Sequence, residues 1–360
     1  MTLLFEPITL RGLTVKNRVW LPPMCQYSAV DGVVNEWHRV HYGARAAGGF
    51  GLLIAEATGI SPEGRITPHC AGIWNETQVE AWKPIVEFVK TQGAAMAIQL
   101  QHAGRKASVY RPWDPKRDNS VPQTEGGWQT VGPSALPFAS LATPKEMTQA
   151  DIQKVIQDFA AAAANADKAG FDAVEIHAAH GYLLHEFLSP LSNHRTDEYG
   201  GSLDNRARLL REVVTAVRQV FPSDKPVFVR VSATDWTPGG LEPDDVAAAV
   251  APLKALGVDL VDVSTGGNVP AKIPNIGPGY QLPAAHRVRE LTHLPTAAVG
   301  LITEPAQAEQ ALAEGDADVI LIGRAALRSP SWPLHAAHVL GVTPDSPGAQ
   351  WPPQYLRGYH

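Results

Sequence analysis

Short apolar runs recur along the whole chain, and several lack the alternation of apolar and polar residues that marks a strand with one face in water. Unbroken runs of this kind are typical of strands that are buried on both faces of a parallel sheet. The runs predict eight strands, at 18–24, 51–56, 95–101, 172–177, 227–231, 258–263, 296–299 and 319–322.

Between these runs, apolar residues recur every three or four positions, which is the spacing of a helix with one buried face. The spacing predicts helices at 152–169, 203–220, 243–256, 282–291 and 305–313. Thr148 and Asp151 precede the first helix with the spacing of a capping box, in which Asp replaces the usual Glu. The chain therefore alternates strands with helices.

This alternation predicts an α/β fold, and eight strands favour a closed (β/α)8 TIM barrel because a barrel leaves no sheet edge to cover. The alternative is a doubly wound open sheet. A glycine-rich dinucleotide fingerprint between a strand and a helix would favour that alternative. The glycines at 48–51 precede a strand instead, so the barrel is preferred.

Three segments exceed a minimal barrel, and none of them has a core of its own, so residues 1–360 are expected to form a single domain. They are a leader at 1–17, a stretch rich in proline and glycine at 102–149, and a tail at 341–360. The second follows strand three at the end where barrel enzymes carry their active sites. It is predicted to be a capping subdomain or lid.

Composition and charge exclude several classes of protein. The chain has 360 residues, 44% of them hydrophobic, and a net charge of −6, which disfavours nucleic acid as a partner. Cys25 and Cys70 are too few for a disulfide framework or a zinc pattern. We find no signal-peptide pattern and no apolar run of roughly 20 residues that could span a membrane, so a cytoplasmic protein is expected.

Strand four is followed by a cluster of reactive side chains, His177, His180 and Tyr182. Two imidazoles can donate hydrogen bonds to one oxygen and so polarise a carbonyl or hold an oxyanion. A tyrosine beside them can supply a proton as a general acid. A metal site and a pair of packed histidines without chemistry are the alternatives at this point.

The first predicted strand ends in a rigid segment. Pro22 and Pro23 remove two backbone donors and stiffen the turn, which can then lie flat against a planar ligand. Cys25 follows them and could be a nucleophile, a redox tuner or a buried filler.

The ends of strands five, seven and eight indicate an anion site. Gly323 and Arg324 follow strand eight, Gly300 follows strand seven, and loops at these places commonly bind phosphate in barrels. Glycine lets backbone amides approach the phosphate, and arginine binds it in a bidentate manner. Arg230 ends strand five and points to the same face. Structural salt bridges are the alternative for both arginines.

Together these residues resemble the Old Yellow Enzyme family of FMN-dependent ene reductases. Within that family the chain is similar to the thermophilic-like bacterial class of NADPH dehydrogenases and xenobiotic reductases. The most specific stretch is His177-Ala-Ala-His-Gly-Tyr182, which continues through 185–201 to Asn205-Arg206. The resemblance covers essentially the whole chain.

The resemblance implies tightly bound FMN at the C-terminal mouth of the barrel and NADPH as a transient reductant. The residues implied to hold FMN are Pro22, Pro23, Met24 and Cys25 along the isoalloxazine, Ala57 and Gln99 at the ring edge, Arg230 by N1 and O2, and Gly300, Gly323 and Arg324 at the phosphate. Cys25 is implied to tune the flavin, and no metal is expected.

The resemblance also implies a substrate site and an oligomer. The residues implied to line the substrate site are Tyr27, His177, His180, Lys106 and Arg357. Tyr182 matches the family's proton donor. Arg357 resembles a tail arginine that reaches into a neighbouring subunit's site, which implies a dimer or a tetramer.

The implied reaction is the reduction of activated C=C bonds in α,β-unsaturated carbonyl or nitro compounds by ping-pong hydride transfer. Two alternatives are a metal-dependent barrel lyase or aldolase, with His177 and His180 as ligands, and a non-catalytic flavin-binding protein.

The chain departs from several relatives at Pro22, where they have a small hydroxyl residue. Its insertion at 111–128, which carries Trp113 and Trp128, is longer than in some members.

Overall fold

Eight parallel strands close into a barrel in the computed structural model, which describes residues 2–359. The strands are β1 (Val19–Leu21), β2 (Leu52–Gly59), β3 (Ala95–Gln101), β4 (Ala173–Ala178), β5 (Val227–Ser232), β6 (Leu260–Ser264), β7 (Thr296–Ala298) and β8 (Val319–Leu321). Each strand pairs with the next one in the chain, and β8 pairs with β1. The predicted (β/α)8 barrel is confirmed.

Helices surround the barrel and connect its strands. They are α1 (Glu36–Ala47), α2 (Glu76–Thr91), α3 (Gln149–Lys168), α4 (Leu183–Leu188), α5 (Leu203–Arg206), α6 (Arg208–Val220), α7 (Pro243–Val250), α8 (Leu282–Thr292), α9 (Pro305–Ala313), α10 (Arg324–Arg328) and α11 (Trp332–Val339). Short 3-10 helices lie at Leu3–Phe5, Gly104–Lys106, Gln123–Glu125, Ala251–Lys254 and Pro353–Gly358.

The structure shortens or divides three of the predicted elements. β1 ends at Leu21 and not at residue 24, because the two prolines that follow cannot donate to a neighbouring strand. The predicted helix at 203–220 is divided at Ala207 into α5 and α6. The predicted helix at 243–256 ends at Val250 and continues as a 3-10 helix that contains Pro252, whose nitrogen has no hydrogen to donate.

The start of α3 follows the predicted capping box. The Thr148 hydroxyl accepts a hydrogen bond from the Asp151 amide, and the Asp151 carboxylate accepts one from the Thr148 amide, at 3.2 and 2.9 Å. Two amides that the first helical turn leaves without partners are thereby satisfied, which is worth about 1 kcal/mol.

An antiparallel hairpin (Ile8–Leu10 and Leu13–Val15) closes the N-terminal end of the barrel. Its Leu10 and Val15 pack against apolar side chains of the barrel interior, where the Trp20 and Phe228 rings stack 5.7 Å apart. A larger apolar layer packs the outer faces of the strands against the helices. The polar side chains of the interior therefore gather towards the C-terminal end.

The segment at 102–149 is mostly irregular. Residues 131–132 pair with residues 145–146, and the buried Arg195 donates to the Pro133 and Met147 carbonyls, which ties the last third of the segment to the loop after α4. None of the helices within residues 2–359 is both long and apolar enough to cross a membrane.

Candidate active site

The end of β4 turns sharply into α4 and presents the predicted catalytic cluster. His180 has a positive φ of 59° and Gly181 one of 71°, so two successive residues are left-handed. A Cβ at Gly181 would collide with the backbone of Gly267, so only glycine fits this close approach. The turn leaves Tyr182 at the N-terminal boundary of α4.

The two histidines and the tyrosine lie side by side. The His177 ring centroid is 5.2 Å from that of His180 and 5.0 Å from that of Tyr182. Burial, together with the charge of Arg230, holds the pKa of both histidines well below the usual value, so both rings are neutral. The Ala179 amide donates to His177 Nδ1 at 3.3 Å, which leaves the proton on Nε2. A neutral His177 is thus a hydrogen-bond donor through Nε2.

His180 belongs to a chain of polar contacts that leads into the barrel mouth. Its Nε2 lies 2.7 Å from the Ser264 hydroxyl, and its amide donates to the Ser232 hydroxyl at 2.9 Å. Gln281 is the next member of this chain of contacts, because its Oε1 accepts from the Ser264 hydroxyl at 3.3 Å. These contacts fix the His180 ring while its environment stays polar.

Tyr182 keeps its proton at all physiological pH values. Burial, with smaller contributions from Cys25 and Cys70, raises the pKa of its hydroxyl above the usual value. A buried phenol of this kind can supply a proton to a carbanion-like centre but does not ionise spontaneously.

Lys106 stabilises this turn through hydrogen bonds to backbone carbonyls. Its Nζ donates to the His180 carbonyl at 2.7 Å and to the Gly267 carbonyl at 2.9 Å. The same ammonium lies 5.1 Å from the centroid of the Tyr182 ring. Burial lowers its pKa to about 8. Lys106 therefore lies beside the predicted site, with its charge directed at the backbone that presents His180.

The segment after β1 carries the cysteine. Cys25, Tyr27 and Tyr182 pack against one small apolar cluster that contains Ala57 and Cys70. Burial, followed by the charges of Cys70 and Glu56, raises the pKa of the Cys25 thiol well above the usual value. Cys25 is therefore a protonated thiol, which argues against a thiolate nucleophile.

Sequence reasoning missed Glu56, in the middle of the fully buried β2. Its Oε2 accepts from the Gln26 amide at 2.9 Å, and its Oε1 lies 3.3 Å from the Tyr42 hydroxyl and 3.5 Å from His38 Nε2. Burial raises its pKa to about 7. A glutamate inside an apolar run was the available signal, since buried carboxyls need partners.

A cavity of about 330 Å³ opens at the C-terminal mouth. Seven of the residues predicted to bind the cofactor line it: Pro22, Pro23, Met24, Arg230, Gly300, Gly323 and Arg324. Gly300 has a φ of 138°, and a Cβ there would lie 3.2 Å from the Gln281 side chain, so this place in the wall favours glycine. Two arginines and bare glycine backbone suit a phosphate, and the proline-methionine wall suits a planar ring, so these residues fit FMN.

Three residues predicted to bind the cofactor, Cys25, Ala57 and Gln99, do not line this cavity, and none of the predicted substrate-binding residues lines it either. Gln99 is buried in the barrel interior, where its Nε2 donates to Glu175 Oε2 at 2.6 Å. Ala57 belongs to the apolar cluster around Cys25. Arg357 lies exposed on the last 3-10 helix, outside the cavity lining of its own chain.

The sequence matches the model of the NADH:flavin oxidoreductase / NADH oxidase family over residues 3–341. The chain belongs to this family. It is 50% identical to an NADPH dehydrogenase of Geobacillus thermodenitrificans over 361 residues, which cover 99% of each chain. It is 46% identical to an NADPH dehydrogenase of Bacillus subtilis, again over 99% of each chain.

Solved structures in the flavin oxidoreductase family have the same fold. Morphinone reductase matches with a TM-score of 0.79 at 29% identity, over 97% of this chain and 96% of that one. The Old Yellow Enzyme homologue of Zymomonas mobilis matches with a TM-score of 0.79 at 30% identity, over 99% of both chains. The predicted membership in the Old Yellow Enzyme family is confirmed.

Family membership decides between the alternatives left open by the sequence. The protein is an FMN-dependent oxidoreductase, an ene reductase that takes its electrons from NADPH. Among residues 2–359, no group of three or more His, Cys, Asp or Glu side chains is placed to bind a metal ion.

Proposed function

We propose that FMN occupies the mouth cavity, with its phosphate at Gly300, Gly323 and Arg324 and its ring against the 22–25 segment. The observation that carries this proposal is the convergence of these residues on one cavity next to the catalytic turn. Arg230 connects the cavity with the catalytic turn, because it lines the cavity and pairs in register with His177 on the neighbouring strand. Its positive charge favours an anionic reduced ring.

FMN bound in this cavity would supply two-electron chemistry between NADPH and an activated alkene. The neutral His177 and His180 hydrogen-bond the carbonyl or nitro oxygen of that alkene and draw electron density away from its double bond. The Tyr182 hydroxyl, which retains its proton, protonates the α-carbon. Lys106 holds the turn that positions these groups.

Tyr27 and the segment at 102–149 complete the substrate site in this proposal. The Trp113 ring meets the Tyr27 ring edge-on, with centroids 5.9 Å apart, although Trp113 is 60% exposed. The cap thus places an aromatic edge over a residue expected to contact substrate. Cys25 and Ala57 pack in the same apolar cluster as Tyr27, next to the proposed position of the flavin ring.

We keep the prediction of a dimer or tetramer in which Arg357 enters the neighbouring subunit's site. It is supported by the exposure of Arg357 on a tail helix that also exposes Tyr355 and Leu356. Mixing Arg357→Ala and Tyr182→Phe subunits tests it. If each site takes Arg357 from its partner, the mixture regains activity above the mean of the two variants; activity equal to that mean would contradict it.

The whole assignment is tested by anaerobic stopped-flow spectroscopy of the purified protein. We expect visible flavin absorbance that bleaches with NADPH and returns when enones or nitroalkenes are added. Bleaching without reoxidation by any activated alkene would favour the non-catalytic flavin-binding alternative. Both cysteines are free, which agrees with the cytoplasmic location we propose.

A further inference from the structure

Four polar side chains form a layer inside the barrel, between its apolar floor and its mouth. They are Gln99, Glu175, Arg230 and Asp262, each at most 6% exposed. Each follows an interior apolar residue by two positions on its strand: Ala97, Ala173, Phe228 and Leu260 respectively. Because residues two apart face the same side of a strand, this layer lies directly above the floor.

Hydrogen bonding within the layer fixes the direction of two side chains. Gln99 and Glu175 are paired in register on β3 and β4, and Gln99 Nε2 donates to Glu175 Oε2 at 2.6 Å. The Gln99 amide group is thus held by its nitrogen, which leaves its carbonyl oxygen as an acceptor. Arg230 and Asp262 are paired on β5 and β6, and Arg230 Nε lies 2.9 Å from Asp262 Oδ2. The terminal guanidinium nitrogens of Arg230 stay available to the cavity.

The charges of the layer do not cancel if both carboxyls ionise. Two carboxylates and one guanidinium would leave a net negative charge above an apolar floor, and an uncompensated buried charge is strongly unfavourable. Burial raises the pKa of Glu175 well above its usual range, and the Asp262 charge raises it further. Burial raises the pKa of Asp262 only to about 6, because the Arg230 charge lowers it in the opposite direction. One retained proton makes the layer neutral.

We propose that Glu175 and Asp262 are positioning residues for FMN. They share one proton, which resides on Glu175, and they hold Gln99 as an acceptor and Arg230 as a donor towards the ring. His177 and Ser264 are the next inward-facing residues on β4 and β6, so the layer directly supports the mouth. This inference rests on the FMN site proposed above and on the sequence-based expectation that the ring also contacts Gln99, which lies outside the cavity lining but in the same layer as the cavity-lining Arg230.

The test is the affinity of the apoprotein for FMN and the flavin midpoint potential, both measured without an alkene. Glu175→Gln reproduces the protonated carboxyl, with an oxygen for Gln99 and a donor for Asp262. We expect its FMN dissociation constant to stay within about threefold of wild type. Glu175→Leu releases the Gln99 amide, so we expect binding to weaken about tenfold or more.

The charge of the layer is tested by a second variant. E175Q/D262N leaves Arg230 without an anion, so we expect its flavin potential to rise above those of wild type and E175Q. Asp172→Asn removes a carboxylate at the opposite end of the barrel and should leave affinity and potential unchanged. Wild-type affinity in E175L, or an unchanged potential in E175Q/D262N, would overturn the inference.

Two further measurements separate the ways in which the inference could fail. Gln99→Leu should weaken FMN binding whether or not Glu175 positions Gln99. Unchanged FMN binding in this variant would refute the contact between Gln99 and the ring, and not the role of Glu175. An infrared difference spectrum of wild type minus E175Q should contain a protonated carboxyl band, and it can be recorded even if E175L does not fold. Absence of that band would show that Glu175 is ionised and would reject the shared proton.

Discussion

The His177 and Tyr182 rings meet in a T-shaped contact, at an interplanar angle of 73° and a centroid distance of 5.0 Å. One residue is expected to bind the activating oxygen of the alkene, and the other to protonate its α-carbon. Their contact fixes the distance between oxygen binding and proton delivery, so the site suits substrates in which the oxygen and the α-carbon are separated by one atom, the carbonyl carbon or the nitro nitrogen. This relation allows the two functions to be tested separately.

Replacing Tyr182 with Phe removes the hydroxyl and keeps the ring that packs against His177. We expect alkene reduction to slow by about a hundredfold or more, because general acids contribute that much. Reduction of the flavin by NADPH needs no proton from this residue and should stay near the wild-type rate. Anaerobic stopped-flow measures both half-reactions. An equal loss in both would contradict the proton-donor role.

Replacing both His177 and His180 with Ala removes two neutral donors. We expect phenolic ligands to bind about thirtyfold more weakly, since two hydrogen bonds of about 1 kcal/mol each are lost. Titration of the long-wavelength charge-transfer band gives the dissociation constant. Because the pKa of each histidine lies well below its usual value, wild-type affinity should show no histidine titration at neutral pH. An unchanged band in the double variant would exclude the oxyanion pair.

Cys25→Ala should shift the flavin midpoint potential, because the resemblance places this thiol against the ring. Cys70→Ala is the matched control, since Cys70 is a second buried thiol of the same apolar cluster, and burial raises its pKa to about 11. We expect the potential of the control to equal that of wild type. Equal potentials in wild type and in both variants would mean that Cys25 only packs in the apolar cluster and does not tune the flavin.

Glu56→Gln should change how stability depends on pH. Burial lowers the pKa of His38 to about 4, so from there to 6.5 the unfolded chain binds more protons at this residue and stability rises with pH. Burial raises the pKa of Glu56 from 4.5 to about 7, so in that range the folded chain binds more protons and the effect is opposite. Removing Glu56 leaves the histidine effect unopposed.

We therefore expect the unfolding free energy of E56Q to rise more steeply with pH between 4.5 and 6.5, by up to about 1.4 kcal/mol per pH unit. Denaturant unfolding at several pH values measures the slope. Glu36→Gln, at an exposed carboxylate of α1, should follow the wild-type profile. Parallel profiles for E56Q and wild type would mean that Glu56 is ionised in the folded protein.

Lys106→Met should loosen the turn that presents His180, because two backbone carbonyls lose a buried charged donor. We expect kcat for alkene reduction to fall about tenfold or more, since hydrogen bonds to charged groups are worth about 1.5–3 kcal/mol. Lys106→Arg keeps the charge and should recover part of the rate. If Met and Arg variants lose activity equally, size and not charge is what the position requires.

Local sequence patterns were sufficient to predict the barrel and the catalytic turn. The buried parallel strands are mostly apolar, and each was recognisable from its own residues. His177, His180 and Tyr182 are close in sequence, so their meeting in space needed only the end of one strand. The early end of β1 was missed, although Pro22 and Pro23 cannot extend a sheet and were the local signal for it.

The polar layer was harder to predict because its members meet only when the barrel closes. Glu175 contacts Gln99 across 76 positions of sequence, and Asp262 belongs to yet another strand. Nothing local distinguishes such a carboxyl from one at a strand edge. Arg230 was assigned to the cofactor by resemblance, but its partner Asp262 emerged only from the three-dimensional register.

The hairpin beneath the barrel has a kinetic consequence. Since Leu10 and Val15 close the floor, the mouth is the route by which both reductant and alkene reach the flavin. The two compounds must therefore compete for the same space. An excess of either should trap the enzyme in a dead-end complex with the wrong flavin redox state, so turnover should pass through a maximum as one concentration rises, and more of the other should relieve the inhibition.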